Sequence, residues 1–267
     1  MCRLLGYVTD GPTSVAEVLG ADGFAAFTSL AAVHGDGWGM AWRDPDDGRT
    51  RCASSPHSAA LDPAYADLAA RRLGAAGLVH LRWATGGLPV APENTHPFVD
   101  GGYAFAHNGH VAPIEHLDAL LSDASRTKVA GDTDSERYFR LVLQCIEDAG
   151  DEASGVTHAL EILLREFPNA SLNALLLTPR RLFAVHINSR ADSPKEALRA
   201  MFESDDAMPA RHATEYFAMD YRMTPDAVHV ISSGLGEEGW TSVPPDIAVM
   251  IDLGTREVTR LHPAQLV

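Results

Sequence analysis

The order of apolar segments constrains the fold of this 267-residue chain more than any other feature of its sequence. Short runs rich in Val, Ile, Leu and aromatic residues, which are typical of sheet strands, occur in both halves of the chain. Between them lie longer segments whose apolar residues repeat every three or four positions, the period of a helix with one buried face. Helices grouped in one block between two sets of strands favour a layered α+β fold over a doubly wound sheet.

The individual elements can be placed along the chain. The strand predictions are 2–8, 39–43, 77–83, 102–106, 172–178, 182–187, 228–231 and 247–253. Helices are predicted from about Asp134 to 149, at 156–167 before Pro168, and at 114–121. The turn residues 9–12 predict the end of the first strand. We find no repeat or linker, so residues 1–267 are predicted to form a single domain.

Composition and charge exclude several classes of protein. The hydrophobic content of 46% supports a large core, and the formal net charge of −15 disfavours binding to nucleic acid or to an anionic membrane. We find no apolar stretch near the roughly 20 residues of a membrane helix and no signal peptide, so we expect a cytoplasmic protein. The three cysteines, Cys2, Cys52 and Cys145, are too few and too scattered for a disulfide framework.

Cys2 is a candidate nucleophile because it directly follows Met1. Removal of Met1 would leave a thiol and a free amine on one residue. The amine titrates near pKa ~8 and the thiol near ~8.5, so the amine can accept the thiol proton at little cost near neutral pH. The alternative is an ordinary half-buried cysteine at the start of the first strand.

Two further segments combine a polar residue with glycine. Arg82 stands at the end of a predicted strand, where it can bind a carboxylate through two parallel hydrogen bonds or simply lie at a sheet edge. Asn108-Gly109 is first of all a signal for a tight hairpin turn. Its functional alternative is an oxyanion hole, in which the Asn108 amide and the Gly109 N–H converge on a negative oxygen.

The start of the helix at Asp134 carries a comparable ambiguity. Thr133 and Glu136 have the spacing of a capping box, and Asp134 in the first turn interacts favourably with the helix dipole without any ligand. The functional interpretation makes Asp134 a partner for a cationic amine. Residues 34–39 form a glycine-rich turn that is either structural or able to close over a substrate.

Cofactor and metal motifs are present only in weak form. Residues 234–239 satisfy G-x-G-x-x-G, but Pro244 and Pro245 follow too soon for the helix that would hold a pyrophosphate. His107 and His110 lack the companion spacing of a zinc site. We therefore expect no cofactor and no metal.

In their order along the chain, these signals resemble the motifs of the class II glutamine amidotransferases, which are N-terminal-nucleophile hydrolases. The resemblance covers about the first half of the chain and is closest to stand-alone, YafJ-like members. More distantly, the chain is similar to the amidohydrolase of ergothioneine biosynthesis. The matching segments are Met1-Cys2, Arg82-Trp83-Ala84-Thr85, Asn94-Thr95-His96-Pro97-Phe98, His107-Asn108-Gly109 and Thr133-Asp134.

The resemblance implies an αββα sandwich of two antiparallel sheets between helical layers. It also implies that Cys2 attacks the γ-carboxamide of glutamine, with its own amine moving the proton. The oxyanion would be stabilised by the Asn108 side chain and the Gly109 N–H. Ammonia would leave, and water would hydrolyse the γ-glutamyl thioester to glutamate.

The resemblance further assigns the substrate contacts. Arg82 would bind the α-carboxylate of the substrate and Asp134 its α-ammonium. The backbone of Trp83 and the side chain of Thr85 would line the same pocket, and His96 would support the site structurally.

Several alternatives remain open from the sequence. Family members fused to synthases usually carry histidine where this chain has Gly86, which leaves the shape of the substrate pocket undetermined. The substrate is therefore glutamine or another γ-glutamyl compound, such as the γ-glutamyl-cysteine-type intermediate of the ergothioneine branch. A catalytically silent binding module is a third possibility, and a synthase subunit that receives ammonia is a possible partner.

Overall fold

The computed structural model describes residues 2–84, 88–209, 211–235 and 238–263. The strands are β1 (Arg3–Thr13), β2 (Trp38–Arg43), β3 (Thr50–Ser55), β4 (Gly74–Leu81), β5 (Phe98–Asp100), β6 (Tyr103–His110), β7 (Ser171–Leu177), β8 (Arg181–His186), β9 (Met219–Thr224), β10 (Ala227–Ser232), β11 (Thr241–Ser242), β12 (Ile247–Asp252) and β13 (Val258–Leu261). The helices are α1 (Val15–Ser29), α2 (Pro63–Ala70), α3 (Ile114–Ala119), α4 (Asp123–Arg126), α5 (Asp134–Ala149), α6 (Glu152–Glu166) and α7 (Lys195–Arg199). Short 3₁₀ helices lie at Leu30–Ala32, Pro92–Asn94 and Asp205–Ala207.

The strands form two antiparallel sheets that pack face to face. The first sheet has the order β11-β9-β10-β1-β4-β2-β3, and the second has the order β13-β12-β8-β7-β6-β5. Apolar side chains from both sheets, including Leu4, Leu78, Leu175 and Leu182, fill the space between them. Burial of this apolar surface is the main force that holds the two sheets together.

Helices cover the outer faces of both sheets. Helices α5 and α6 pack on the second sheet around Phe105 and Phe183. Helices α1 and α2 pack on the first sheet around Tyr7 and Met40. The four layers confirm the predicted αββα sandwich.

Alternation along β1 places Cys2 between the sheets. Strand β1 is central in the first sheet, paired with β4 on one side and β10 on the other. Leu4 points into the core between the sheets, whereas Leu5 belongs to the outer cluster. Because successive side chains of a strand alternate between faces, Cys2 shares the face of Leu4 and is directed towards the second sheet.

The structure corrects two local predictions. Strand β1 does not end at the predicted turn 9–12 but continues to Thr13 through an irregularity in its pairing with β4 after Val8. Asn108-Gly109 is not a hairpin turn. Both residues lie inside β6, where Asn108 pairs with Asn173 on β7. In both places, pairing with neighbouring strands overrides the local preference of turn-forming residues.

Helix α1 was not predicted from the sequence. It also belongs to a longer apolar segment than the sequence analysis expected anywhere in the chain. The segment Val15–Ala32 is long and apolar enough, by length and composition only, to cross a membrane. The expectation that no stretch approached this length is therefore wrong. The segment is not one regular helix, because Gly20 has a φ of 73°. Val18 and Phe27 are buried against the first sheet, as in a core helix.

Candidate active site

The first contact of the candidate site joins the two sheets. The backbone nitrogen of Cys2 donates a hydrogen bond to Asn108 Oδ1 at 2.8 Å. Asn108 is fully buried, and its Nδ2 has no hydrogen-bond partner among the described residues. Buried amide groups are nearly always paired in folded proteins. The unpaired Nδ2 is thus a buried donor available to a ligand at the Cys2 end of β1.

A small cavity beside Cys2 collects residues from five separate segments. Its lining residues are Cys2, Arg82, Trp83, Ala84, Leu88, His96, His107, Gly109, Thr133, Asp134 and Ser135. The structure therefore brings the predicted Cys2, Arg82, Gly109 and Asp134 to one cavity, with Asn108 bonded to Cys2. Met1, Thr85, Gly86 and residues 236–237 of the G-x-G-x-x-G segment, all discussed from the sequence, lie outside the described residues.

The segment after β4 is held in place by the glycine-rich loop at 34–39. Arg82 N donates to Gly37 O at 2.8 Å, and Ala84 N donates to Asp36 Oδ2 at 2.8 Å. The Arg82 guanidinium donates to the carbonyl oxygens of Asp36 and Pro89 at 3.4 and 3.1 Å. Within the described ranges, the structure records no ion pair for this buried guanidinium. A cation in that state can bind an incoming carboxylate.

Asp134 lies in the first turn of α5. Its Oδ2 accepts a hydrogen bond from Val111 N at 2.6 Å and lies 3.5 Å from His110 Nδ1. Burial by itself raises the pKa of the Asp134 carboxyl, but the hydrogen bonds from His110 and Val111 bring the pKa below its usual value. The carboxylate is therefore negatively charged at the wall of the cavity at neutral pH.

The predicted capping box at the start of α5 is only half formed. Glu136 N donates to Thr133 Oγ1 at 3.1 Å, as predicted. The Glu136 side chain does not return to Thr133, because it accepts from Ala130 N and Gly131 N at 3.0 and 2.8 Å. These bonds tie the preceding loop to the helix and fix the position of Asp134.

The thiol of Cys2 lies in an environment that favours its ionised form. Its Sγ is 3.9 Å from Trp83 O. Burial raises the thiol pKa, but electrostatic interactions with His80 and with the chain N-terminus, together with the contact to Trp83 O, outweigh that effect and lower the pKa to about 6. A thiolate is the nucleophilic form of cysteine, so Cys2 is poised for nucleophilic attack near neutral pH.

Histidines around the thiol were not assigned from the sequence as a group. The rings of His80 and His96 lie 4.3 Å apart, and His107 Nδ1 and Nε2 contact Ser135 Oγ and Ser171 O at 2.9 and 2.8 Å. One signal existed for His80, because it precedes Arg82 by two strand positions and so shares its face. Across the described part of the chain, no group of three His, Cys, Asp or Glu side chains is arranged to hold a metal ion.

Comparison with known proteins places this geometry in context. A family model described as class II glutamine amidotransferases matches residues 1–260. The chain is 33% identical over 180 residues to the glutamine–fructose-6-phosphate aminotransferase (isomerizing) of Mycolicibacterium paratuberculosis, covering 65% of this chain and 28% of that protein. It is 31% identical over 152 residues to the gamma-glutamyl-hercynylcysteine sulfoxide hydrolase of Mycolicibacterium smegmatis, covering 57% of this chain and 61% of that protein.

Solved structures show the same fold. A glutamine aminotransferase class-II domain protein from Silicibacter pomeroyi matches with a TM-score of 0.64 and 21% identity, covering 98% of this chain and 100% of that chain. This chain spans only part of the two relatives named above: 28% of the aminotransferase and 61% of the hydrolase.

Proposed function

The chain belongs to the class II glutamine amidotransferases, and we propose that it hydrolyses the γ-carboxamide of glutamine through a thioester on Cys2. The observation that carries the proposal is the Asn108 amide. Its oxygen holds Cys2 N at 2.8 Å, and its buried nitrogen has no partner within the described residues. A donor left unpaired beside a nucleophile is suited to a negative oxygen that exists only during the reaction.

The reaction begins with removal of Met1, which gives Cys2 a free amine. The thiolate attacks the amide carbon, and the oxygen of that amide becomes negatively charged. Asn108 Nδ2 and the Gly109 N–H stabilise this oxygen. Removing a single donor of this kind typically lowers kcat by about 10²–10³.

Collapse of the tetrahedral intermediate breaks the carbon–nitrogen bond. The leaving nitrogen takes up a proton and departs as ammonia, which leaves a γ-glutamyl thioester on Cys2. Water then attacks the thioester and releases glutamate. The Cys2 amine moves protons during these steps, because its pKa of ~8 is close to the working pH. The steps require no cofactor.

Recognition of the amino-acid end rests on two opposite charges in the cavity. Arg82 binds the α-carboxylate, and Asp134 binds the α-ammonium. The backbone of Trp83 lies close to the thiol, and Thr85 completes the pocket in this proposal. Binding both charged groups leaves the amide end free to reach Cys2, and such positioning supplies a large part of the rate enhancement in enzymes.

A second candidate function is hydrolysis of a γ-glutamyl-cysteine-type compound. It is favoured by the 31% identity to the gamma-glutamyl-hercynylcysteine sulfoxide hydrolase, since that alignment covers 61% of the relative. Arg82 and Asp134 suit either substrate, because both substrates carry the same γ-glutamyl end. The similarity to glutamine–fructose-6-phosphate aminotransferase supports a synthase subunit as the receiver of ammonia.

The test starts with protein of verified N-terminus. Intact-mass measurement is expected to show a chain that begins at Cys2. Glutamine and a γ-glutamyl thiol compound are then assayed side by side, and the larger kcat/KM identifies the substrate. Cys2→Ala is expected to abolish hydrolysis, whereas the matched control Cys52→Ala keeps it, because Cys52 is exposed and does not line the cavity.

Two outcomes would contradict the proposal. Full activity in a chain that retains Met1 would rule out the amine as a proton carrier. A thiol-directed glutamine analogue that leaves no covalent adduct on Cys2 would favour a silent binding module instead.

A further inference from the structure

We infer that His110 is a positioning residue for the substrate ammonium: together with Val111 N it holds one oxygen of the Asp134 carboxylate and leaves the other oxygen to bind the ammonium. The inference rests on the part of the proposed function in which Asp134 binds that group. It gives a role to a histidine that the sequence pattern connected only with a weak zinc motif.

The contacts of Asp134 are concentrated on one carboxylate oxygen. Oδ2 accepts a hydrogen bond from Val111 N at 2.6 Å and lies 3.5 Å from His110 Nδ1. Among the residues that the structure describes, no hydrogen bond to Oδ1 is recorded, and Asp134 lines the cavity beside Cys2. Because a carboxylate is planar, fixing Oδ2 also fixes the position of Oδ1. Oδ1 is therefore a held acceptor that is left for a cationic ligand.

His110 is not forced into this contact by packing. Its side chain is 56% exposed, whereas that of Asp134 is 8% exposed. A carboxylate only accepts, so Nδ1 carries the proton in this contact. Pairs that involve an exposed side chain contribute little to stability. The main effect of His110 is therefore expected on the orientation of the Asp134 carboxylate and not on the stability of the fold.

The same contact helps to keep Asp134 ionised. The hydrogen bond to Asp134 and its negative charge outweigh partial burial and raise the pKa of His110. Burial raises the pKa of Asp134, but the hydrogen bond from His110 and the charges of His107 and His110 contribute to a value below the usual one. An ionised carboxylate is the form that pairs strongly with an ammonium group.

His107 is also close to Asp134 but is engaged elsewhere. Its Nδ1 lies 2.9 Å from Ser135 Oγ, and its Nε2 lies 2.8 Å from Ser171 O. Both ring nitrogens thus have partners other than the carboxylate. His110 is therefore the better candidate for orienting Asp134.

The test measures binding by isothermal titration calorimetry, on chains that carry Cys2→Ala so that the ligand is not consumed. The ligands are L-glutamine and its analogue without the α-amino group, 5-amino-5-oxopentanoate. His110→Ala is expected to raise the Kd of glutamine about 3–10-fold, the size of one lost hydrogen bond, and to change the Kd of the analogue by less than about twofold. His110→Asn is expected to keep the Kd of glutamine within about twofold, because an asparagine amide places a neutral donor near the position of Nδ1.

The matched control is His116→Ala. His116 is also a half-exposed histidine beside a carboxylate, with its Nε2 3.2 Å from Glu166 Oε2, but it does not line the cavity. It is expected to leave the Kd of both ligands unchanged. Once Asp134→Asn has removed the ammonium contact, adding His110→Ala is expected to change the Kd of glutamine by less than about twofold, because the two substitutions act on one interaction.

Four results would overturn the inference. They are an unchanged Kd of glutamine in a folded His110→Ala variant, an equal rise of Kd for both ligands, additive effects of the Asp134 and His110 substitutions, and no measurable binding of glutamine. His110→Leu, which keeps the bulk of the ring but has no donor, replaces His110→Ala if that variant does not fold.

Failure of the proposed function looks different. A chain that begins at Cys2 and hydrolyses no γ-glutamyl compound refutes the reaction, yet its binding of glutamine can still depend on His110. An unchanged Kd in Asp134→Asn removes the ammonium contact itself. A Kd that rises in Asp134→Asn but not in His110→Ala refutes the role of His110 alone.

Discussion

Asn108 and Asn173 offer a matched pair for testing the oxyanion hole. They face each other across β6 and β7, and both are fully buried. Their amides differ in how well they are paired. We expect Asn108→Ala to remove activity with little loss of stability, and Asn173→Ala to lower stability with little loss of activity per folded molecule.

The expected change in stability of Asn108→Ala follows from the single hydrogen bond of the Asn108 side chain. Alanine leaves the buried Cys2 N–H without the acceptor that it reaches at 2.8 Å, at a cost of about 1–3 kcal/mol, and it also removes Nδ2, which is unpaired among the described residues and carries a penalty of the same size. These terms nearly cancel, so the free energy of unfolding changes by about 1 kcal/mol or less. Loss of one oxyanion donor lowers kcat by about 10²–10³.

The expected loss of stability in Asn173→Ala follows from three hydrogen bonds of the Asn173 side chain. Its Nδ2 donates to Phe217 O at 2.6 Å, and its Oδ1 accepts from Ile187 N and Asn188 Nδ2 at 3.0 and 2.9 Å. At about 1 kcal/mol for each bond, alanine costs about 3 kcal/mol. For a protein of this size, that corresponds to a fall in Tm of about 6–12 °C.

The assay combines thermal unfolding by circular dichroism with initial rates on glutamine, or on the better of the two γ-glutamyl substrates. The rates are taken well below the unfolding transition of either variant. The reasoning is refuted if Asn108→Ala keeps kcat within about tenfold of wild type, because the loss of one oxyanion donor is expected to lower kcat by more than that. It is also refuted if the two variants lose equal stability.

Three further predictions concern the same cavity. In Gly109→Ala, the new Cβ would lie 1.9 Å from Ser171 O, so β6 and β7 must separate. We expect the free energy of unfolding, measured with denaturant, to fall by about 1–3 kcal/mol and hydrolysis to be lost. Wild-type stability would contradict this. Asp134→Asn keeps an acceptor for Val111 N but removes the charge, so we expect KM to rise about 10–100-fold with a smaller change in kcat, and an unchanged KM would exclude the ammonium contact. Because the Cys2 thiol has a pKa of about 6, below the ordinary value, the thiolate is present above that pH and lost below it. We expect kcat/KM to fall about tenfold for each pH unit below that value, and a flat acid limb would contradict the assignment.

The sequence was informative where local pattern and burial agree. The stripe of Tyr138, Val142 and Cys145 predicted α5, and the structure begins that helix at Asp134. The pattern was less informative for α1, because glycines at 20 and 23 weaken the helical signal. Packing of Val18 and Phe27 against the first sheet stabilises the helical segment despite these glycines. Turn propensity failed at Asn108-Gly109 for a related reason, since strand pairing with β7 outweighs it.

The sequence by itself determined the chemistry that the chain can offer: a cysteine behind Met1, an arginine at a strand end, an Asn-Gly pair and an aspartate at a helix start. Only the tertiary structure decided how these groups act on one another. Residues 2, 82, 109 and 134 meet at one cavity because two sheets pack face to face, and no local pattern encodes that distance. The same packing buries His80 and leaves Asn108 Nδ2 without a hydrogen-bond partner in the part of the chain that the structure describes. Burial and proximity of charges set pKa values and hydrogen-bond partners, and both depend on residues far apart in the chain.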